Sequence, residues 1–202
     1  MPPIESAPLL LIAAAVLGYL FGSIPFGLVW ARVFGLGDIR QIGSGNIGAT
    51  NVLRTGNKLA AFLTLLFDAG KAGFAVLIAR AIAGEDAVQI AGLAAFIGHC
   101  FPVWLGFKGG KGVATFIGLM LALNFYAGLA CCATWLVIAA LFRYSSLAAM
   151  FTALMAPVYM VFLGYGVGAL LGALLAVLIY WRHGDNLKRL RNGTESKIGQ
   201  KG

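Results

Sequence analysis

The chain has 202 residues, of which 60% are hydrophobic and only 11% charged, and its formal net charge is +8. A soluble domain of this length could not bury so much apolar surface without leaving large exposed patches, so the composition excludes an ordinary soluble fold. The positive charge alone would suggest nucleic acid, but lysine and arginine in cytoplasmic loops explain it in a membrane protein. We therefore expect membrane lipids and no nucleic acid as partners.

The first apolar run, residues 6–31, contains 26 uncharged residues and is long enough to cross a bilayer as a tilted helix. A cleaved signal peptide is the alternative interpretation of an apolar N-terminus. However, no basic region precedes this run, and its first charged neighbour, Glu5, is acidic. We therefore expect the run to remain as a transmembrane helix.

A polar, glycine-rich loop occupies residues 35–58, and the pattern then predicts a second helix over about 59–83. This helix contains Asp68 and Lys71, three positions apart. Since a lone buried charge is costly, we expect the two side chains to pair with each other or with a loop. Proton transport is the alternative function for such a pair.

A third helix is predicted over about 87–101, because Pro102 disfavours helix at the residue before it. The next apolar stretch, residues 112–142, has 31 uncharged residues, which is long for one crossing and short for two. Residues 145–181 are 37 uncharged residues, and the glycine-rich segment 164–168 predicts a turn between two helices there. Length therefore leaves only the stretch 112–142 ambiguous.

Charge placement resolves that ambiguity. If residues 112–142 form two short helices with a turn near Asn124, 13 of the 15 lysines and arginines face one side of the membrane. The positive-inside rule favours this arrangement. We therefore predict an all-α integral membrane protein, a single domain over residues 1–202. It has seven transmembrane helices, some of them short, with the N-terminus outside and the C-terminus inside.

The first candidate site is the glycine loop, residues 43–54, which reads GSGNIGATNVLR. Glycines let backbone N–H groups approach an anion, hydroxyl and amide side chains add donors, and Arg54 is suited to bidentate contact with phosphate oxygens. The pattern favours phosphate binding. A flexible polar connector is the alternative.

The second candidate site is the lysine loop, residues 107–115, which reads FKGGKGVAT. It places Lys108 and Lys111 among glycines at the start of a helix, where exposed N–H groups favour an anion. It is not a nucleotide-binding P-loop, because Leu105 and Gly112 occupy positions where that motif needs glycine and Ser or Thr. A flexible turn with two lysines that set the topology is the alternative.

The third candidate site is the C-terminal segment, residues 182–195, with four lysines and arginines and one histidine in its first ten residues. Such a segment often only sets orientation or contacts anionic lipid. Neither orientation nor lipid contact requires a residue such as His183 or Asn186. These two side chains would share one face of a continuing helix. His99, at a helix end, is interpreted as structural, and the three cysteines as small core residues. No residue cluster indicates a metal.

Taken together, the glycine loop, the segment 98–104 with the lysine loop, and the pattern of His183, Asn186, Arg189, Leu190, Gly193 and Glu195 resemble one family. These segments are similar in order and spacing to the bacterial acyl-phosphate-dependent glycerol-3-phosphate acyltransferases, the PlsY family. The resemblance covers essentially the whole chain. It also implies seven transmembrane helices with the active site facing the cytoplasm of a bacterial inner membrane.

The resemblance implies transfer of a fatty acyl group from acyl phosphate to the 1-hydroxyl of sn-glycerol 3-phosphate. The products are lysophosphatidic acid and phosphate, in the first acylation step of phospholipid biosynthesis, with no cofactor. By resemblance, the catalytic residues are His183, Lys111 and Arg54, and the substrate-binding residues are Ser44, Gly45, Asn46, Thr50, Asn51, Lys108, Gly109, Gly110, Gly112 and Asn186.

Two points remain open at this stage. His183 is either a general base for the hydroxyl or an orienting group while a substrate phosphate oxygen takes the proton. A transporter of a phosphorylated solute is the alternative function, although it would be expected to show internal repeats or midplane polar groups beyond Asp68 and Lys71.

Overall fold

The computed structural model describes residues 1–200, which contain ten α-helices and no β-strand. The helices are α1 (Pro8–Gly22), α2 (Phe26–Val33), α3 (Ala49–Leu53), α4 (Lys58–Ile82), α5 (Glu85–Cys100), α6 (Val113–Leu123), α7 (Phe125–Phe142), α8 (Ser145–Phe162), α9 (Ala169–Arg182) and α10 (Gly184–Arg191).

Five helical spans are long and apolar enough to cross a membrane: Pro8–Val33, Lys58–Ile82, Glu85–Leu105, Phe125–Phe142 and Ser145–Phe162. A sixth is formed if Gly166–Arg182 and Gly184–Arg191, which meet at a bend of 61°, count as one span. Helix α6 is apolar but shorter. Large apolar side chains such as Leu141, Leu65 and Val177 remain exposed on these helices. The structure therefore confirms a multi-pass, all-α membrane architecture.

The first span is not the continuous helix predicted for residues 6–31. Ser23, Ile24 and Pro25 separate α1 from α2. Proline has no N–H to donate and disfavours helical backbone at the residue before it, so the helical hydrogen bonds are interrupted at this point. At the break the Ile24 carbonyl oxygen has no partner four residues on and accepts from the Phe26 N–H at 3.1 Å, which leaves one lone pair for a group outside this span.

The predicted turn near Asn124 is present between α6 and α7. Asn124 has extended backbone angles, and its side chain accepts a hydrogen bond from the Ala127 N–H, so it ends one helix and caps the next. The loop 35–58 is less irregular than predicted. It contains a short 3₁₀ turn at Ile39–Gln41 as well as α3.

Helix α5 lies at the centre of the bundle, with most of its residues buried. It packs along α1, where a side chain at Gly18 or Gly22 would overlap the backbone of Ala91 or Ala95. Small residues in the segment 91–95 therefore permit close packing of α5 on α1. Gly118 of α6 meets the Ala69 backbone of α4 in the same way.

The two ends of the bundle differ in charge. Acidic side chains cluster at one end, where Asp86 accepts from the Ser6 hydroxyl at 2.6 Å and Glu85 lies 3.8 Å from Arg80. The opposite end carries the loops before α4, before α6 and before α8, together with α10 and the residues after it. Of the 13 basic residues predicted to share a side, nine lie in these segments, and Arg32, Lys58 and Arg182 lie at the adjoining helix ends. The remaining one, Lys201, is outside the described residues.

Candidate active site

At the basic end, the three candidate sites come together with the C-terminal tail, residues 192–200. Arg54 of the glycine loop donates to the hydroxyl of Ser196. Thr50 lies 3.3 Å from the hydroxyl of Ser145, at the start of α8. Lys111 of the lysine loop donates to Oδ1 of Asn186 at 2.5 Å. Hydrogen bonds therefore connect segments that are far apart in the sequence.

Asn51 organises the glycine loop from within. Its Nδ2 donates to the Ile39 carbonyl at 2.7 Å, and its Oδ1 accepts from the Ser44 N–H at 3.2 Å and from Arg54 Nη1 at 3.1 Å. The residue is only 1% exposed. Asn51 therefore shapes the loop and orients Arg54 in this structure. A contact between Asn51 and substrate stays a prediction.

Positive backbone angles explain two of the glycines in this loop. Gly43 and Gly45 have φ of 54° and 67°, a region that other residues adopt at a cost. A Cβ at Gly43 would also overlap the side chains of Arg54 and Asn51. Ser44, between these glycines, and Thr50 are exposed, while Asn46 is half-buried. All three remain accessible to a ligand.

The lysine loop lies on the carboxyl end of α5. The N–H groups of Gly109 and Gly110 donate to the carbonyls of Cys100 and His99, at 3.1 Å each. The carbonyls of the same two glycines accept from Arg182, at 3.0 Å and 3.2 Å. The N–H and carbonyl groups of both glycines are therefore paired within the protein, and phosphate binding by these backbones stays a prediction.

Steric fit explains the glycines of the lysine loop better than ligand contact does. A Cβ at Gly110 would overlap the His99 imidazole, and one at Gly112 would overlap the Phe96 ring. Gly112 has φ of 83° and precedes α6. The N–H groups in the first turn of α6 have no partner within the helix, so they are free to bind an anion.

Lys111 is the half-buried cation of this site, whereas Lys108 is exposed. The pKa of Lys111 is lowered to about 8, first by burial and then by the positive charges of Arg189 and Arg182, against the opposing effect of Glu195. A lysine in this state is still largely charged at neutral pH. A phosphate entering the site would restore its pKa toward the ordinary range, because an opposite charge favours the ammonium form.

His183 lies at the bend between α9 and α10 and is 3% exposed. Its Nδ1 is 2.8 Å from the Ile179 carbonyl, which can only accept, so the proton is on Nδ1 and the lone pair is on Nε2. Burial lowers the pKa of His183 to about 4, with a further contribution from Lys111. The imidazole is therefore neutral at pH 7.

Glu195 is the residue whose position in the site was not predicted. Its Oε1 accepts from Ser146 at 2.7 Å and from Asn186 at 2.6 Å, and its Oε2 accepts from Arg189 Nε at 2.7 Å. Through Asn186 it is linked to Lys111. Asp185 and Glu195 are the two acids of a basic segment, and an acid in such a segment predicts an ionic partner, a signal that could have identified Glu195.

The described residues at this end therefore carry an excess of positive charge. Arg54, Lys111, Arg182 and Arg189 surround the linked loops, and Glu195 is the acidic side chain paired within them. Several cations with N–H donors and a neutral imidazole suit the binding of more than one phosphate group. His-Cys-carboxylate clusters that could hold a metal ion are absent from residues 1–200.

Known proteins were compared with this chain. The sequence profile of the family described as glycerol-3-phosphate acyltransferase matches residues 12–193. A protein of that name from Cereibacter sphaeroides is 62% identical over 201 residues, which cover 100% of this chain and 96% of the relative. Another protein of that name, from Ruegeria sp. (strain TM1040), is 63% identical over 201 residues and covers 100% of both chains.

Two crystal structures of PlsY, described as an integral membrane glycerol 3-phosphate acyltransferase, share the fold. The glycerol 3-phosphate form is 37% identical with a TM-score of 0.88, covering 94% of this chain and 96% of that chain. The lysophosphatidic acid form is 36% identical with a TM-score of 0.86, covering 94% and 95%. From the family match, the close relatives and the shared fold, this chain belongs to the PlsY family of integral membrane glycerol-3-phosphate acyltransferases.

Proposed function

We propose that the protein transfers a fatty acyl group from acyl phosphate to the 1-hydroxyl of sn-glycerol 3-phosphate, giving lysophosphatidic acid and phosphate. The observation that carries this proposal is the link from Arg54 through Ser196, Glu195 and Asn186 to Lys111. This link joins the three segments that are predicted to bind phosphate, at one end of the apolar helix bundle. PlsY crystal structures in glycerol 3-phosphate and lysophosphatidic acid forms support the acceptor and the product.

Together, the two phosphorylated substrates carry roughly four negative charges into one site. Repulsion between them must be offset, and the surrounding cations supply that compensation. We assign Arg54, Lys111, His183 and Asn186, with Ser44, to glycerol 3-phosphate. Ser44, Asn46 and Thr50 of the glycine loop and the first-turn N–H groups of α6 are assigned to acyl phosphate, and Gly45 lets the loop backbone approach it. Lys108, being exposed, contributes long-range attraction.

The reaction needs no protein nucleophile, because acyl phosphate is already an activated mixed anhydride. The 1-hydroxyl oxygen attacks the acyl carbon, the bond from that carbon to the phosphate oxygen breaks, and phosphate leaves. Positioning of the hydroxyl and stabilisation of the leaving phosphate lower the barrier. Without substrate, burial lowers the pKa of His183 to about 4, so the imidazole is a weak base before phosphate binds. We therefore assign the proton to a substrate phosphate oxygen and an orienting role to Nε2 of His183.

We propose seven membrane crossings, with the N-terminus outside and the basic end facing the cytoplasm of a bacterial inner membrane. The distribution of acidic and basic side chains between the two ends supports this orientation. Under this arrangement α6, although short, is a full crossing. The acyl chain would then extend from the basic end between helices into the bilayer interior.

The test uses purified protein in lipid vesicles, supplied with glycerol 3-phosphate and acyl phosphate. We expect phosphate and lysophosphatidic acid to form in equal amounts, and no product when acyl-CoA or acyl carrier protein replaces acyl phosphate. Equal turnover with acyl-CoA would overturn the assigned donor. Movement of either substrate across the vesicle membrane without acyl transfer would favour the alternative function, a transporter.

A further inference from the structure

A buried ionic cluster lies directly beneath the lysine loop. Lys71 Nζ lies 2.7 Å from Asp68 Oδ1, 2.8 Å from the Ile24 carbonyl oxygen and 2.9 Å from His99 Nδ1. The three charged or titratable side chains are each 5% exposed or less. The reaction proposed above uses none of them, although ionic groups inside an apolar bundle are costly to keep.

The hydrogen bonds of Lys71 determine the state of His99. A lysine ammonium has three N–H donors and no acceptor, and the three partners of Lys71 use all three. His99 Nδ1 must therefore accept, which places the imidazole proton on Nε2. The ring is thus fixed in one tautomer and one orientation by a charged donor.

His99 in turn supports the lysine loop. A Cβ at Gly110 would overlap Nε2 of the imidazole, so the loop backbone lies directly against the ring. The backbone carbonyl of His99 accepts from the Gly110 N–H, at 3.1 Å. Both the ring and the backbone of His99 therefore hold the residue that precedes Lys111.

The break in the first span connects the cluster to the rest of the fold. Because the helix is interrupted at Pro25, the Ile24 carbonyl has no partner four residues on. It accepts from the Phe26 N–H at 3.1 Å and, with its second lone pair, from Lys71. Asp68 compensates the charge of Lys71 from the same helix, one turn away. The cluster thus joins three transmembrane segments at the point where the lysine loop lies.

We propose that Asp68, Lys71 and His99 form a positioning unit that sets the place of the lysine loop, and with it the place of Lys111, without touching substrate. This inference rests on the proposed role of Lys111 in phosphate binding. Buried ion pairs are weak sources of net stability, so a positioning role explains why the cluster is present. An error of about 1 Å in the place of a binding group can reduce activity by about 100-fold.

Two variants break the unit at different links. In the double variant Asp68→Asn with Lys71→Met, the His99 ring loses its charged donor, while no uncompensated charge remains buried. In His99→Asn, the amide oxygen replaces Nδ1 as acceptor for Lys71, but the ring beneath Gly110 is gone. Thr64→Val is the matched control, because Thr64 is fully buried in the same helix and hydrogen bonds only to the Ala60 carbonyl.

The readout is the pH dependence of Lys111 acetylation by acetic anhydride, measured by mass spectrometry with exposed Lys188 as reference. In the unchanged protein the apparent pKa of Lys111 should be about 8. We expect it to move toward 10.5 in both variants, because a displaced Lys111 becomes more solvated, and to stay in place in Thr64→Val. In parallel, KM for glycerol 3-phosphate should rise more than kcat falls.

An unchanged acetylation profile in the folded variants would overturn the inference, even if their activity fell. If the double variant does not fold, His99→Asn decides alone, since it keeps a partner for Lys71. The acetylation assay requires no substrate. A shifted profile in a protein that makes no lysophosphatidic acid would therefore support the positioning unit while contradicting the proposed function.

Discussion

Nζ of Lys111 donates to Oδ1 of Asn186, across 75 residues of sequence. Asn186 donates in turn to Glu195, so its amide is fixed with the oxygen toward the lysine. The C-terminal segment therefore orients the cation that the lysine loop supplies. Neither segment forms this arrangement alone.

Lys111→Ala should reduce kcat/KM for glycerol 3-phosphate by about 10²–10³-fold, because a charged donor aimed at phosphate is lost. The measurement is initial-rate kinetics in vesicles. Lys188→Ala is the control, since Lys188 is highly exposed and pairs only with exposed Asp185. A loss of less than tenfold in the Lys111 variant would contradict its assignment.

Glu195→Gln should weaken the fold in a pH-dependent way. Although burial opposes it, hydrogen bonds from Ser146, Asn186 and Arg189 lower the pKa of Glu195 below its ordinary 4.5. A carboxylate with a lowered pKa stabilises the folded state above pH 4.5, and this contribution is lost as the pH falls through the folded pKa.

Thermal unfolding in detergent between pH 3 and pH 7 measures this effect. The variant should unfold at a lower temperature at pH 7, and its unfolding temperature should fall less on acidification than that of the unchanged protein. Asp185→Asn, at an exposed position, should alter neither quantity. Parallel curves for Glu195→Gln and the unchanged protein would show that the carboxylate contributes nothing.

His183→Gln separates the two proton routes. A general base contributes about 10²–10⁴-fold, so a larger loss than 100-fold in kcat with unchanged KM would identify His183 as the base. We expect instead a smaller loss in kcat and a higher KM, because the amide retains part of the orienting contact. The fall in kcat/KM below about pH 6 should persist in the variant, because it reflects protonation of the substrate phosphate.

Gly118→Ala should lower the free energy of unfolding by about 1–3 kcal/mol, because the new Cβ would overlap the Ala69 backbone where α6 packs on α4. Gly70→Ala is the matched control: its Cβ would meet nothing within 4 Å. That substitution should be neutral or stabilising by about 0.5–1 kcal/mol. Thermal unfolding in one detergent compares the two, and equal effects would contradict the packing explanation.

Seven crossings place Lys197 inside and Val167 outside. In a variant whose three cysteines are replaced by alanine, cysteine at position 197 should react with an impermeant maleimide only after cells are opened. Cysteine at position 167 should react in intact cells. Labelling of both positions from the same side would require an even number of crossings between them, and the proposed topology would then be wrong.

Much of the fold follows from the sequence because bilayer crossing constrains it strongly. The turn at Asn124 and the pairing of Asp68 with Lys71 were predicted, the first from charge placement and the second from the cost of a lone buried charge. The break at Pro25 was missed, although proline inside an apolar run is a recognisable signal.

The site was less predictable, since glycines serve two purposes that sequence alone does not separate. Gly109 and Gly110 suggested phosphate contact, yet they lie where any side chain would overlap α5. Asn51 likewise suggested a ligand contact, and the structure shows that it also shapes the loop. Such distinctions depend on which backbone groups are already paired, and only the assembled bundle determines that pairing.

The pairing of Glu195 with Ser146, Asn186 and Arg189 has a consequence for biogenesis. Glu195 follows α9 in the chain, so it leaves the ribosome after every helix of the bundle. A partly synthesised chain therefore lacks the contacts that hold Asn186 and Lys111 together. The site is therefore complete only once the residues after the last helix have been synthesised and have folded back onto it.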